Sequence, residues 1–320
     1  MEPSECSHPK EEPVARIYAL DNRMTPVSSL QDLAHGRPVA IAAAPPELDS
    51  LTAPSEEGKQ ALRLLASAEN TYLDVFPSCL VGSFAVPDKA RILDDPTCFT
   101  FYLDRDRLVF LDESGTCERL LSAIAEQGVL KQPTTAHCLF ECMKLLIKGD
   151  LAFLADLEDQ MEGVEEAIID RGMDASNRRM LLFRRKLLRI DTYYQQLVDM
   201  TSSLAENENK MLAREETRLF LSLQKQVERL LKRSLTLKEY SLQLRELYQA
   251  QIDIQQNNTM KFFAVVTTLF APLTLLTSWF GMNFAHMPGI DWSWGYQAVI
   301  ALSIVIILVE LAIFKRKKWL

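Results

Sequence analysis

The most informative absence in the sequence is that of helix breakers in its second half. No proline occurs in residues 134–271, and only three glycines fall in this interval. Proline removes a helical amide donor and glycine disfavours helical backbone, so a long stretch with so few of either favours long helices. We therefore predict one helix over residues 134–169, a second over 175–204, and a third that begins near Lys210 and continues without interruption.

Other absences exclude whole classes of protein. The net charge is −8, which argues against a nucleic-acid partner because phosphate binding needs a basic surface. No glycine-rich phosphate loop or nucleophile triad is present, so we expect neither an enzyme nor a cofactor. The six cysteines have no framework spacing, which suits a reducing compartment. Residues 1–13 are polar and acidic, without the apolar core of a targeting peptide, and are predicted to be a disordered tail.

The segment that follows has the alternation of an α/β domain, predicted for residues 14–133. Short β-type runs, separated by turn residues, alternate with helical patterns. Strands are predicted at 15–20, 38–43, 79–86, 98–103 and 107–112, with a helix at about 48–70. We expect this domain to be cytosolic.

Two of the long helices differ in charge. Acidic residues cluster on the helix that ends near Ile169, and basic residues cluster on the one that follows it. This pattern predicts an antiparallel hairpin with complementary charged faces.

Charge is absent from residues 262–280, and Glu310 is the only charged residue in 294–314. Each run is close to the roughly 20 residues that cross a bilayer as a helix. Basic residues follow the second run directly and are missing from the loop between the two, which predicts that both termini are cytosolic. The predicted fold is an α+β membrane protein, with a cytosolic α/β domain and a long stalk helix continuous with the first of two transmembrane helices. The remaining predicted segments are long antiparallel helices 134–206, stalk 207–261, first span 262–283, external loop 284–293, second span 294–314 and basic cytosolic tail 315–320.

One face of the first span is unusually small and polar. Its members recur at alternating steps of three and four residues, the spacing of a single helix face. They are Asn257, Met260, Ala264, Thr267, Ala271, Thr274 and Ser278. Such a stripe has two explanations, close packing of one helix on another or the lining of a pore. The residues alone leave both open.

Several motifs around these spans resemble the CorA family of divalent-cation channels. They occur in a fixed order: Asn257-x-x-Met260-Lys261, Ala271-Pro272-Leu273-Thr274, Gly281-Met282-Asn283-Phe284, Met287-Pro288, Trp292-x-Trp294-Gly295-Tyr296 and the tail from Lys315 to Leu320. Upstream of about residue 150 the resemblance is one of architecture only.

The resemblance implies a homo-oligomer, pentameric in that family, whose stripes together line a pore through the lipid bilayer of the plasma (inner) membrane. Gly281, Met282 and Asn283 would form its selectivity filter. Magnesium gives up its waters reluctantly, and a ring of Asn283 carboxamides can accept hydrogen bonds from those waters without removing them. The implied transported ion is magnesium, with cobalt and nickel as further candidates among divalent cations.

Further residues acquire candidate roles from their positions. Met260 and Phe263 could form a hydrophobic gate or simply anchor the helix at the interface. Asp291, the only carboxylate between the spans, could attract cations or be an ordinary loop charge. Asp253 lies on the backward extension of the stripe and is a candidate metal ligand, although a solvated helix charge explains it as well. In the family the basic residues of the tail contribute to a collar; here they are Lys315, Arg316, Lys317 and Lys318.

Two alternatives to a magnesium channel remain at this point. One is a zinc transporter of the related ZntB branch, whose signature usually differs at the position of Met282. The other is a membrane-anchored helical scaffold without conduction. The family also has regulatory acidic residues in its stalk, whereas the matching residues 221–225 carry no carboxylate, which leaves magnesium feedback at that site unsupported.

Overall fold

The computed structural model describes residues 15–21, 23–28, 37–47, 56–65, 68–128, 134–170, 173–282 and 292–317 of the 320-residue chain. The predicted tail 1–13, together with Asn283, Asp291 and Lys318, lies outside the described residues. The chain divides into two compact units, residues 1–244 and 245–320, which we describe separately.

The N-terminal unit contains a seven-stranded mixed sheet with the order β2-β1-β3-β7-β6-β5-β4. Neighbouring strands are antiparallel except for β3 and β7, which are parallel. The predicted combination of strands and helices is thus confirmed. The strands are β1 (Arg16–Leu20), β2 (Met24–Val27), β3 (Val39–Ala43), β4 (Tyr72–Val75), β5 (Leu80–Val86), β6 (Thr97–Leu103) and β7 (Arg107–Leu111).

Two of these strands, β2 and β4, were not predicted. Both are four residues long and form the two edges of the sheet. Pro26 lies within β2, where an edge strand tolerates the missing amide donor. Short edge strands with a proline carry little period-two pattern, so their pairing is decided by the neighbouring strand rather than by their own sequence.

Helices cover the sheet on its two faces. A buried cluster that includes Ile41, Val81 and Val109 packs with Leu62 of helix α1 (Glu56–Leu65). Helices α2 (Thr116–Gln127) and α3 (Thr135–Leu146) contact β3 and β7. The predicted helix at 48–70 was too long at its C-terminal end, because residues 68–70 are irregular. Their backbone is held by side chains instead, with the Ser83 hydroxyl donating to the Asn70 carbonyl at 2.7 Å.

The helix predicted over residues 134–169 is in fact two helices. α3 ends at Leu146, and α4 (Asp150–Ile169) begins after Gly149, whose φ of 84° is left-handed. The Lys89 ammonium donates to the carbonyls of Leu146 and Lys148, at 3.3 and 3.0 Å. This lysine comes from a loop about 60 residues earlier, so a long-range contact satisfies the end of α3 where local sequence shows no proline.

Two long helices complete the chain before the second apolar run. α5 (Met173–Glu206) has 34 residues, and α6 (Arg214–Phe280) has 67 residues, or about 100 Å of continuous helix. The predicted continuity of the stalk with the first apolar run is confirmed. Within the N-terminal unit α6 buries one face at steps of three and four residues: Phe220, Leu223, Val227, Leu230, Ser234, Leu237, Ser241 and Leu244.

The predicted charge complementarity between α4 and α5 was wrong about the partners. Among the described residues, Glu158 of α4 pairs with Arg233 of α6, Asp191 of α5 pairs with Lys238 of α6 at 2.9 Å, and Asp150 at the start of α4 pairs with Lys89. Glu165 of α4 also accepts a hydrogen bond from the Tyr240 hydroxyl. Glu158, Glu165 and Asp191 therefore tie α4 and α5 to the stalk.

Candidate functional site

The C-terminal unit consists, in its described part, of the end of α6 and helix α7 (Gly295–Arg316). Each contains a stretch long and apolar enough to cross a membrane, with mean hydropathies of 1.6 and 2.6. None of the α6 stretch and only 6% of the α7 stretch is buried inside the chain. Large apolar side chains such as Phe262 and Leu308 are more than half exposed. An apolar surface of this extent needs a bilayer or other copies of the chain to cover it.

The two ends of this helix pair differ in chemistry. Exposed aromatic side chains gather where the helices approach the connecting loop: Trp279, Phe280, Trp292, Trp294 and Tyr296. The other end of α7 carries the exposed basic residues Lys315, Arg316 and Lys317. Aromatic rings favour the membrane–water interface and basic residues favour the cytosolic side. The sequence of these ends is thus typical of a helical hairpin that crosses a bilayer twice.

Each of the two helices has one face that is partly covered. On α6 the half-covered residues are Val265, Leu269, Pro272, Leu273 and Leu276. On α7 they include Val299, Ser303, Ile306, Ile307, Glu310 and the fully buried Phe314. Each set recurs at helical spacing and forms one face. Each helix thus has one half-covered face and one exposed face.

The small, polar stripe occupies the other side of α6. Ala264, Thr267, Ala271, Thr274 and Ser278 are all exposed. At 100° per residue the centre of the stripe lies about 160° from the centre of the half-covered face of α6. Within one chain the stripe is therefore on the exposed side of α6. The stripe is free to face other copies of the chain or a polar path.

The hydroxyl groups near the stripe are held by their own helix. The Thr274 hydroxyl donates to the carbonyl of Phe270 at 2.8 Å, and the Thr277 hydroxyl donates to that of Leu273 at 3.1 Å. Such bonds satisfy the donor inside an apolar medium and leave the oxygen lone pairs able to accept. The oxygen atoms of the stripe therefore present acceptors, which suit a hydrated cation.

The described part of the predicted filter comprises Gly281 and Met282. The Gly281 amide donates to the Thr277 carbonyl at 2.9 Å, which extends the helical hydrogen bonding by one residue. The φ of Gly281 is not positive, so the position does not require a left-handed backbone. A side chain there would instead approach the same Thr277 carbonyl to 3.1 Å. Close approach, not backbone handedness, is what favours glycine at this position.

The candidate gate and metal residues lie on exposed parts of α6. Met260 and Phe263 are 68% and 58% exposed, and the Phe263 ring meets Phe262 edge-on at 5.9 Å. Asn257 is exposed, and Asp253 accepts a hydrogen bond from Gln249 at 3.1 Å. Within the described ranges no group of three or more His, Cys, Asp or Glu side chains could hold a metal ion.

A buried polar network in the N-terminal unit was missed by sequence reasoning. Asp150, only 1% exposed at the start of α4, pairs with Lys89 and accepts a hydrogen bond from the Tyr194 hydroxyl at 3.0 Å. Burial raises the pKa of Tyr194 above its ordinary value, and the nearby Asp150 carboxylate raises it further. The only sign of this network in the local sequence is an acidic residue, Asp150, directly after a helix-breaking glycine. The partners of Asp150 lie in distant segments of the chain. The network ties a loop of the sheet to α4 and α5.

The fold and the exposed hairpin together define a class of protein, one with a large α+β unit, a very long helix and two C-terminal helices able to cross a membrane. Residues 59–316 match the family described as CorA-like Mg2+ transporter protein, and the chain belongs to that family. The family is one of transporters, so the prediction that the chain is not an enzyme is confirmed.

Individual relatives differ in how much of the chain they match. The cobalt/magnesium transport protein CorA of Thermotoga maritima is 25% identical over 194 residues, which is 61% of this chain and 55% of that protein. The magnesium transport protein CorA of Wolinella succinogenes is 43% identical over 77 residues, 24% of each chain. The matches thus span about half of the first relative and about a quarter of the second.

Solved structures share the fold. The complete CorA magnesium transporter from Methanocaldococcus jannaschii has a TM-score of 0.80 at 20% identity, over 97% of this chain and 99% of that one. The cytoplasmic domain of ZntB from Vibrio parahaemolyticus has a TM-score of 0.57 at 12% identity, over 74% of this chain and 97% of that domain. At these identities the likeness concerns the fold alone.

Proposed function

We propose that this protein is a homo-oligomeric channel that carries Mg2+ passively into the cytosol through a pore lined by α6. The observation that carries the proposal is the exposed small and hydroxylated face of α6, opposite its half-covered face. Membership in the CorA-like family and the names of the relatives support magnesium as the ion.

The proposed pore forms when several copies turn their stripes toward a common axis. Large apolar residues of α6 and α7 then face lipid or each other, and the Ala, Thr and Ser side chains enclose a polar path. The pentamer of the family resemblance is the proposed assembly, in the plasma membrane with both termini cytosolic. Met260 and Phe263 would narrow the cytosolic end and close it by dewetting. The basic residues 315–318 would form a collar around the stalks at the same end.

Ion selection is proposed to occur at the outer mouth. Gly281 and Met282 lead to Asn283, whose carboxamides in a ring would accept hydrogen bonds from the waters of hydrated Mg2+. Residues 262–280 contain no carboxylate, so an ion inside the span meets only weak sites, as conduction requires. Asp291 outside and Asp253 inside would raise the local cation concentration. A divalent ion that crosses about 100 mV gains roughly 4.6 kcal/mol, enough to drive entry without a cofactor.

The test is Mg2+ uptake into liposomes that contain the full-length protein, under an inside-negative potential. Asn283→Ala is expected to abolish selective Mg2+ uptake, whereas Gln297→Ala, a polar change on α7 away from the stripe, is expected to preserve it. Assembly of both variants is checked by size-exclusion chromatography. If the wild-type protein assembles well but shows no Mg2+ flux, the proposal is contradicted. If no ion at all passes, the non-conducting scaffold is favoured.

The likeness of the N-terminal unit to the ZntB cytoplasmic domain supports one alternative, a zinc transporter. Met282 at the centre of the signature favours magnesium. Competition by zinc, cobalt and nickel in the same uptake assay separates these ions. Uptake of zinc with no uptake of Mg2+ would replace the main proposal with the alternative.

A further inference from the structure

The first part of α5 carries a strong positive charge that the chain does not neutralise. Residues 175–190 contain six basic residues and no Asp or Glu. Of the six, Arg189 is engaged, because its guanidinium donates to the carbonyls of Ile92 and Asp94. Four others are exposed and make no ion pair in the part of the chain that the structure describes: Arg178, Arg179, Arg184 and Arg185. The proposed pore gives these four arginines no role.

Large apolar side chains interrupt this basic surface. Leu181 and Leu188 are 53% and 45% exposed. Their helical positions place them with Arg178 and Arg185 on the side away from the buried face of α5. The buried face is formed by Met180, Phe183, Leu187 and Ile190. Exposed leucines among arginines are typical of a surface that another molecule covers, because a face that meets only water needs no leucine. We call this side the basic face of α5.

α4 presents a surface of the opposite charge. The helix has no Lys or Arg. Asp159, Glu162 and Glu166 are exposed, recur at steps of three and four residues, and make no ion pair with a described residue. They lie on the side away from the buried residues of α4, which are Leu154, Leu157, Met161, Val164 and Ile168. We call this side the acidic face of α4.

These two faces do not meet within one chain. α4 and α5 contact each other in the N-terminal unit, and each directs its charged face away from its own buried face. No ion pair joins the two helices among the residues that the structure describes. Their charges that do find partners on the stalk, Glu158 and Asp191, belong to other sides of the helices. The acidic face and the basic face are therefore both available to a partner.

A second copy of the chain fits both faces. The arginines Arg178 and Arg185 are seven residues apart, as are Asp159 and Glu166, so each face extends for about 10 Å. A membrane surface rich in anionic lipid would attract the basic face but repel the acidic face beside it. Contact between two basic faces would bring like charges together. The acidic face of another copy offers the opposite charge over the same length.

We propose that the basic face of α5 in one copy docks on the acidic face of α4 in a neighbouring copy. The contact joins two different surfaces of the same chain, so it is heterologous, and its repetition closes a ring when the rotation between copies permits closure. Leu181 and Leu188 are covered at its centre, and the arginines pair with carboxylates around them. The inference rests on the homo-oligomer of the proposed function but not on conduction.

The contact is tested by cross-linking two full-length variants that carry different tags and are co-assembled in lipid. One has Glu162→Cys, the other has Arg185→Cys, and a mild oxidant is added. A disulfide that joins the two tags forms only between copies, and we expect it in high yield. Glu113→Cys, a change to an exposed acidic residue after β7, replaces Glu162→Cys in the matched control and should give only the background of the native cysteines. No cross-link above that background would overturn the proposal.

Charge reversal tests whether the charges hold the contact. Adding Arg178→Glu and Arg184→Glu to the Arg185→Cys copy should lower the yield by about tenfold, because like charges then oppose docking. Adding Asp159→Lys and Glu166→Lys to the other copy should restore it. A yield that the second reversal does not restore would overturn the proposal. If, in addition, the first reversal lowers thermal stability only in anionic lipid, the basic face binds lipid head groups instead.

The same samples separate this interface from the proposed channel. Mg2+ uptake by a wild type whose variants give no cross-link would contradict the interface alone. A cross-link without Mg2+ uptake would contradict the proposed channel and leave the interface standing.

Discussion

The two halves of α6 use the same helical spacing in opposite ways. In the stalk, the residues at steps of three and four are mostly large, apolar and buried, from Phe220 to Leu244. In the apolar half, the residues at the same steps are small or hydroxylated and exposed, from Ala264 to Ser278. A stalk helix in water hides its apolar face. In a membrane helix the apolar residues face lipid. A face of small or hydroxylated residues therefore marks a protein contact or a polar path.

This comparison predicts that substitutions on the stalk face cost stability and substitutions on the stripe cost transport. Leu237→Ala should lower the free energy of unfolding by about 2–5 kcal/mol, because the side chain is 0% exposed and its loss leaves a cavity. Leu235→Ala, whose side chain is 41% exposed, is the control and should change it by less than about 1 kcal/mol. Chemical denaturation followed by circular dichroism measures both. Equal effects would mean that the stalk face is not a packing core.

On the stripe, Ala271→Leu should nearly abolish Mg2+ uptake while the protein remains stable and assembled. Every copy of the chain would contribute one leucine, and together these side chains would fill the narrow path that the alanines leave open. Leucine is apolar, so it should not reduce the stability of a helix that crosses lipid. Leu275→Ala, a change to an exposed apolar residue off the stripe, is the control. Uptake at the wild-type rate from Ala271→Leu would contradict a pore at this face.

A smaller change tests what the hydroxyl groups of the stripe contribute to transport. Thr274→Val keeps the shape of the side chain but removes an oxygen acceptor from the stripe. We expect uptake to fall by about tenfold, corresponding to about 1.4 kcal/mol for a lost contact with the hydrated ion. Thr277→Val is matched to it, because the Thr277 hydroxyl makes the same kind of bond to its own helix but lies off the stripe. Similar losses in both variants would assign the effect to helix stability.

The smallest expected effect concerns the surface charges of the stalk. Lys238→Met removes an ion pair with Asp191 whose two side chains are 38% and 20% exposed. Solvent screens such pairs, so the free energy of unfolding should fall by less than about 1 kcal/mol. Thermal unfolding of the variant, compared with wild type at low and high salt, measures the difference. A loss of several kcal/mol would show that the pair, and not the leucine face, holds the stalk.

The buried network around Asp150 has no counterpart in the apolar half. Raising the pKa of Tyr194 above 10.0 means that its neutral form is favoured in the folded protein. The unfolded tyrosine ionises first as pH rises through 10.0, so the folded protein should lose stability from that pH upward. Tyr194→Phe should reduce this alkaline dependence, which a series of unfolding curves would detect. An unchanged dependence would assign the alkaline loss to other groups.

Local patterns predicted most of the architecture. The scarcity of breakers and the uncharged run 262–280 predicted the continuous α6, and the motif from Asn257 to Tyr296 predicted the family. What failed were features decided at a distance. The break between α3 and α4 depends on Lys89, the edge strands β2 and β4 depend on their neighbours, and Glu158 and Glu165 of α4 found partners on α6.

The sequence by itself therefore determined the helices, the two apolar spans and the stripe, because helical period and hydropathy act within a few turns of one segment. The roles of Asn283, Asp291 and Lys318 remain predictions of the same kind. Only the tertiary structure decided which face of α6 is half-covered and that the stripe lies on its exposed side. The reason is physical: side-chain period defines the faces of a helix, but burial depends on what another segment brings against each face.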